Sequence, residues 1–190
     1  MTAEQKWQEA RDILNSNPTE QELQKAIALI QEAVADNHAG AYFTLAVLYF
    51  TGNGFEQDKQ KAFDYLQQSH ALGYERSKLM LATFLIEGEF VEKDLSKAEL
   101  YLRELAEKGD VDACAHLSQN IFDDVFPNDD KEEGVIWLRK AAELGHPTAM
   151  ARLGQICGNR CQDEEAHFWF CKARSEGVEG IDEAEQEYST

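Results

Sequence analysis

A recurring pattern of small and large apolar positions runs along most of the chain. The stretch from Ala98 to Gly109 has a small residue, an aromatic residue three positions later at Tyr101, a further core position at Leu105 and a closing glycine. Four other segments share this spacing, and in each the closing residue lies 11 positions after the opening one. The intervals between successive openers are 36, 36, 36 and 32 residues. The five openers are Ala26, Ala62, Ala98, Gly134 and Ala166.

A second ladder of apolar positions precedes the first in each segment. Its leucines recur every 36 residues, at Leu45, Leu81, Leu117 and Leu153. A period of this size predicts a solenoid, and two ladders per period indicate two helices per repeat. Because the leucine interval stays at 36 where the other interval shortens to 32, we expect a four-residue deletion in the loop between the last two helices.

The sequence therefore predicts an all-α fold made of about five helix-hairpin repeats. We place the repeats at about 3–37, 39–73, 75–109, 111–145 and 147–177, as a single repeat domain over 1–177. Residues 178–190 are expected to form an acidic tail or a capping helix.

Short-range signals support these boundaries. Thr19 and Glu22 have capping-box spacing at the start of a helix. Gly52 suits the positive φ of a helix exit, and Asp58 is placed to cap the helix that follows. The first repeat has Asn37 where the others have a closing glycine, which is typical of a divergent terminal repeat.

Charge narrows the classes of partner. The chain has 36 acidic and 18 basic residues, a net charge of −18. Such a charge repels nucleic acid and anionic lipid and attracts a basic protein. The N-terminal residues lack the apolar run of a signal peptide, and no stretch approaches the ~20 apolar residues that span a bilayer. We expect a cytoplasmic protein that is monomeric when free and has no contact with membranes.

The anchors of the second repeat, read together, resemble a known repeat. Leu45, Tyr49 and Gly52, followed by Asp58 and Tyr65, are similar to the Sel-one-like repeat (SLR), a relative of the tetratricopeptide repeat. The resemblance covers about residues 20–177. Departures are Asn37 in the first repeat, Asp124 and Gly134 in the fourth, and the shortened loop of the fifth.

The resemblance implies a right-handed α/α superhelical solenoid that binds another protein on its concave face. Within that class, an immunity protein that neutralises a toxin is the version we favour for a small acidic binder, and an adaptor or scaffold in a signalling or secretion assembly is the alternative. Some cysteine-rich relatives bind or hydrolyse β-lactams. A β-lactam-binding or β-lactam-hydrolysing protein is therefore the alternative from a different functional class. This chain lacks their regular cysteine pairing.

Concave positions of the tetratricopeptide repeat map onto the first helix of each repeat here. The resulting line is strongly apolar, which predicts a groove from Trp7 to Phe122 for an apolar segment of a partner. Burial of these side chains within a tightly wound superhelix is the competing interpretation. The mapped residues are Trp7, Arg11, Leu14, Phe43, Val47, Phe50, Leu79, Thr83, Ile86, Ala115, Gln119 and Phe122.

A second candidate is the loop over 123–133, which has six carboxylates and one lysine. It could dock a basic surface, with Phe126 as the apolar anchor. It could equally be a solvated loop whose acidic residues serve the next helix. The acidic residues assigned to partner binding are Asp123, Asp124, Asp129 and Asp130.

The last repeat concentrates three of the four cysteines. Cys157, Cys161, His167 and Cys171 form a conceivable tetrahedral zinc set. Their spacing matches no familiar zinc motif, and Cys157 stands at a core position, so a disulfide and ordinary reduced thiols remain alternatives. No phosphate-binding loop, catalytic dyad or cofactor motif is present, so we predict a protein that is not an enzyme and needs no cofactor.

Overall fold

The computed structural model describes residues 1–126 and 130–181. Within these ranges it contains ten α-helices and no strand, which confirms the all-α class and the solenoid of about five hairpins. The helices are α1 Ala3–Asn15, α2 Glu20–Ala35, α3 Ala39–Thr51, α4 Lys59–Ala71, α5 Ser77–Glu87, α6 Leu95–Glu107, α7 Val111–Phe122, α8 Lys131–Glu143, α9 Pro147–Asn159 and α10 Asp163–Ser175.

The chain divides into two compact units. The N-terminal unit, Met1–Asp94, contains α1 to α5, and the C-terminal unit, Leu95–Thr190, contains α6 to α10. The division falls between α5 and α6, inside the predicted third repeat at 75–109. The single domain over 1–177 stays a prediction, and the expected tail lies outside the described residues from 182 onward.

Each hairpin ends in the same backbone motif. After α4, Gly73 has φ 89° and the N–H of Tyr74 donates to the carbonyl of Ser69 at 3.0 Å. Asn37 occupies the same position after α2 with φ 56°, because asparagine tolerates the left-handed region better than most residues. This is a Schellman motif, which satisfies carbonyls left over at the helix end. Its recurrence explains the ladder of closing residues.

The predicted four-residue deletion lies in the loop between the last two helices, as the two series of apolar positions indicated. Seven residues, 52–58, separate α3 from α4, whereas three residues, 160–162, separate α9 from α10. Both helices of the last hairpin keep their 13-residue length. The deletion therefore shortens a loop and leaves the packing helices whole.

Side-chain caps begin most of the helices. Thr19 and Glu22 form the expected capping box, with the Thr19 N–H donating to Glu22 at 2.8 Å. Asp58 accepts from the N–H of Lys61 at 2.9 Å at the start of α4. His38 and His146 accept from backbone N–H groups at the starts of α3 and α9, so these histidines serve as helix caps.

The openers of the second helices are the points of close approach. They are buried, and the aromatic residue three positions on packs as a wedge that is either buried, as in Tyr101, or half-buried, as in Tyr65. Small residues allow helices to approach and large ones fill the groove between them. None of the described helices is long and apolar enough to cross a membrane.

Candidate partner-binding groove

Trp7 connects α1 to α3 in the N-terminal unit. Its indole Nε1–H donates to Thr44 Oγ1 at 2.9 Å and so ties α1 to α3. Its ring lies against Gly40, where an added Cβ would come within 2.6 Å of the indole. The tryptophan is 8% exposed, and its ring is 4.9 Å from that of His38. The glycine on α3 therefore makes room for a large side chain from α1.

A groove of about 390 Å³ lies beside this tryptophan, entirely within the N-terminal unit. Its apolar lining includes Phe43, Val47 and Tyr74, and the rings of Phe43 and Tyr74 are 5.2 Å apart. The side chains of all three are half-buried. Because no other side chain of the N-terminal unit fills the groove, a partner can contact these three residues. Of the predicted residues, those that line the groove are Trp7, Arg11, Leu14, Phe43 and Val47.

Tyr74 is the aromatic residue of the lining that sequence reasoning missed. It occupies the repeat position at which His38 and His146 cap α3 and α9. A tyrosine ring cannot cap a helix in this way, and α5 begins at Ser77, two residues later than the repeat period predicts. The change from a capping residue to an aromatic one at this position is the signal that could have identified it.

The remaining predicted residues of the N-terminal unit lie away from the lining of this groove. Phe50 packs edge-on against Phe84, with ring centroids 5.7 Å apart. The side chains of Leu79, Thr83 and Ile86 on α5 are half-buried. The single groove from Trp7 to Phe122 involves both units and stays a prediction.

In the C-terminal unit, Gln119 lines a cavity of about 240 Å³ together with Arg152. The Arg152 guanidinium donates to the Gln119 side chain and lies 4.5 Å above the ring of Phe122. Phe122 is half-buried under this cation, and Ala115 also lines the cavity. Gln119 and Phe122 of α7 are thus already in contact with a side chain of α9.

The acidic loop requires a correction. Phe126, the expected anchor for a partner, is 2% exposed and belongs to the core of its own unit. Asp123 and Asp124 are exposed, and Asp124 has φ 54° at the exit of α7, where two earlier repeats have glycine. The Lys131 ammonium donates to the Phe122 carbonyl at 2.7 Å, which connects the start of α8 to the end of α7.

Two more acidic residues of this loop were assigned to partner binding. Asp130 caps α8 by accepting from the N–H of Glu132 at 3.1 Å, so it has a structural role whatever else it does. Asp129 lies outside the described residues. Partner docking through Asp123, Asp124 and Asp130 stays a prediction.

The cysteine cluster does not converge as a zinc site. Cys157 is buried in α9, and its burial raises the pKa of its thiol. Cys161 is exposed and has φ 56° at the exit of α9. His167 and Cys171 share a face of α10, with Nε2 and Sγ 3.5 Å apart. All four cysteines are free, and no three candidate ligands meet within the described residues.

A row of equivalent exposed apolar residues was also missed. Leu100, Ile136 and Phe168 occupy one repeat position on α6, α8 and α10, and they are 53%, 64% and 50% exposed. The equivalent residue of α4 is Asp64. The intervals of 36 and 32 residues between them could have revealed the row, because they match those of the buried ladder.

Consecutive helix hairpins of fixed period, with a groove lined by their first helices, define an α-solenoid repeat protein. Residues 39–74, 76–110, 111–146 and 147–178 each match the Sel1 repeat model. The chain belongs to the Sel1 repeat family. The first hairpin, α1 and α2, precedes the matched residues, so the match begins at residue 39 and not at about residue 20 as we expected.

Solved structures of similar fold come from several bacteria. A protective antigen of uropathogenic Escherichia coli strains with an SLR fold is 24% identical, with a TM-score of 0.81, and the match covers 95% of this chain and 39% of that one. This chain therefore spans well under half of the antigen. A Sel1 repeat protein from Oxalobacter formigenes is 19% identical, with a TM-score of 0.82 and coverage of 95% and 75%.

An immunity protein from Pseudomonas aeruginosa is 20% identical, with a TM-score of 0.61 and coverage of 95% of this chain and 67% of that one. At such identities the likeness shows the fold alone, and one fold serves many functions. No curated protein matches the chain.

Proposed function

We propose that this chain is a non-enzymatic binding protein that holds one partner protein in the groove beside Trp7. The observation that carries the proposal is the groove itself, where Phe43, Val47 and Tyr74 are only half-buried. Half-buried aromatic residues around a concavity are typical of binding hot spots, because a partner that covers them removes their remaining surface from water. Membership of a repeat family that suits protein binding supports this function.

Within this function, neutralisation of a toxin is the specific role that we propose. The net charge of −18 favours rapid capture of a basic protein, and long-range attraction of this kind raises association rates. The fold is shared with an immunity protein of Pseudomonas aeruginosa. An adaptor role in a signalling or secretion assembly is the alternative, and the number of partners distinguishes the two. Four free cysteines suit the reducing cytoplasm that we expect.

Substitution in the groove tests the binding function. We expect Phe43→Ser to lower recovery of the partner at least about ten-fold when the tagged chain is used for affinity capture, because it removes an apolar contact from the groove wall. Phe168→Ser is the matched control, since Phe168 is 50% exposed and lies in the other unit. Circular dichroism and thermal melting must show that both variants fold. Equal recovery by both variants would contradict the proposal.

The toxin role has its own experiment. The captured partner is expressed in a bacterial host with the wild-type chain, with Phe43→Ser, or alone. We expect growth arrest when the partner is alone, rescue by the wild-type chain, and weaker rescue by the variant because partner affinity is lower. Normal growth with the partner alone would rule out the toxin role and leave the adaptor alternative.

A further inference from the structure

The groove of the N-terminal unit has the opposite charge to the protein that contains it. Its charged lining residues are two arginines, Arg11 and Arg76, and none of its lining residues is acidic. Acidic residues outnumber basic ones by 36 to 18 in the whole chain. A groove that recognised only basic segments would not place two guanidinium groups beside its apolar surface, because like charges repel in a partly desolvated site.

Neither arginine is engaged by a carboxylate within the part of the chain that the structure describes. The Arg11 guanidinium lies 4.7 Å above the Trp7 ring, which orients it without neutralising it. Arg11 contributes to the lowered pKa of Glu4, but that pKa is lowered mainly by hydrogen bonds from Gln8 and His38. The Glu4 carboxylate therefore has other partners.

Arg76 is exposed and stands at the N-cap of α5, where no side chain caps the helix. The backbone N–H groups of Ser77 and Lys78 donate to the carbonyls of Tyr74 and Glu75 at 3.2 and 2.9 Å, so the Arg76 guanidinium is the cationic group at this helix end. The neighbouring Glu75 carboxylate lies 3.6 Å from the Lys78 ammonium. A carboxylate brought to this helix end by a ligand would meet the Arg76 guanidinium, which lines the groove.

We infer that the groove recognises a segment of the partner protein in which a carboxylate stands next to aromatic or aliphatic side chains. The apolar side chains fill the space beside Trp7, Phe43 and Tyr74, and the carboxylate groups bind to Arg11 and Arg76. A volume of about 390 Å³ is near the lower end of the range for ligand pockets, which suits a few residues of an extended segment.

The inference rests on the proposed binding function and adds the chemistry of the bound segment. It is compatible with a partner of net positive charge, because the acidic surface outside the groove acts at long range whereas the arginines act in contact. Charge-assisted hydrogen bonds from arginine to carboxylate are strong and geometrically specific, so the preference should be measurable in short peptides.

Three capped peptides test the inference by titration calorimetry at low ionic strength: Gly-Phe-Asp-Phe-Gly and its analogues with Asn or Lys in place of Asp. We expect the Asp peptide to bind the intact chain at least about ten-fold more tightly than the Lys peptide, with the Asn peptide between them. An Asn peptide with a free C-terminal carboxylate shows whether a chain end serves as well as a side chain. Equal affinities for the Asp and Lys peptides, or no binding of the Asp peptide at about 1 mM, would overturn the inference.

Arg76→Glu is the decisive variant, since its side chain is exposed and its loss leaves no cavity. It should abolish the preference for Asp over Lys, and Arg11→Gln should reduce it. Lys93→Glu makes the same change of charge on an exposed residue of the same unit outside the groove lining, and it should leave the preference intact. Partner capture that depends on Phe43 but not on Arg76 would overturn this inference while leaving the proposed binding function in place.

Discussion

At the scale of single residues, a larger side chain on one helix of the last hairpin is matched by a smaller residue on the other helix. Position 154 is glycine, and Phe170 faces it where the preceding repeat pairs Ser118 with Leu138. A Cβ at Gly154 would approach the Phe170 ring to 2.8 Å. Both residues are buried, so the larger side chain on α10 depends on the absent side chain on α9. Close packing leaves no other space for the ring.

This contact gives a prediction about coupled substitutions. Gly154→Ala should destabilise the fold by about 1–3 kcal/mol through overpacking, even though alanine is the better helix former. Adding Phe170→Leu, which restores a pairing of the type found in the preceding repeat, should recover at least about 1 kcal/mol of that loss. Urea unfolding of the wild type, both single variants and the double variant measures the coupling. Strictly additive effects would show that the two side chains do not compete for space.

At the scale of helices, a repeated trio of side chains links successive second helices, α6, α8 and α10, in the C-terminal unit. Arg103 on α6 forms an ion pair with Glu133 on α8, and the Trp137 indole Nε1–H donates to the same carboxylate at 3.1 Å. Arg139 and Glu165 repeat this pair between α8 and α10. The hydrogen bond from Arg103 is the main cause of the lowered pKa of Glu133. The recurring sequence pattern predicts an aromatic residue at this position of the second helices, but it does not reveal the carboxylate that each indole contacts.

The trio predicts a defined pH dependence. Because the pKa of Glu133 is lowered by folding, its contribution to stability is present above the unfolded value of about 4.3 and is lost as the pH falls through the folded value. Glu133→Gln should therefore lower the free energy of unfolding by about 0.5–1 kcal/mol at pH 7, with solvent screening limiting the effect, and by much less at about pH 3. Chemical denaturation at the two pH values measures both differences.

Glu107→Gln is the control for this prediction, because Glu107 is exposed near the end of α6. Its substitution should change stability only slightly at either pH. A loss of stability in Glu133→Gln that is the same at both pH values would mean that the carboxylate acts without its charge, through packing or through a neutral hydrogen bond.

At the scale of the whole molecule, the excess of negative charge works against folding. Ion pairs such as Lys6 with Glu32 offset only part of it, because exposed pairs contribute at most about 1 kcal/mol each. The remaining carboxylates repel one another in any compact state. The charge that would speed capture of a basic partner in the proposed function therefore lowers the stability of the free protein, and a bound basic partner would relieve the repulsion.

Salt should accordingly stabilise the free protein. Raising NaCl from about 20 to about 300 mM shortens the Debye length to below about 10 Å, which screens repulsion between distant carboxylates more than it screens contact pairs. We expect the midpoint of thermal unfolding to rise across this series by a few degrees. A midpoint that stays constant or falls would mean that attractive pairs outweigh the net repulsion.

The repeat fold was predictable from residues a short distance apart. The closing position of each hairpin needs a positive φ, which glycine supplies at Gly73 and asparagine at Asn37, so the hairpin ends can be located in the sequence. The capping box of Thr19 and Glu22 depends on residues three apart. The deletion in the last loop follows from comparing two ladders. These features depend on local backbone geometry or on a fixed period, both of which a sequence displays directly.

The candidate site could be predicted only in part. Trp7, Phe43 and Val47 were found through the positions they occupy on the first helices, and they do line one groove. Tyr74 and Arg76, which also line it, come from the link before α5, where an aromatic residue stands at the position of a capping residue and the helix begins two residues late.

By itself, the sequence determined the class of fold, the hairpin boundaries and the net negative charge, because these follow from period, local geometry and composition. The tertiary structure alone decided that Phe126 is buried in the core of its unit and that two arginines line an apolar groove. Such outcomes depend on which residues far apart in the chain converge, and on how much of each side chain the converging helices cover.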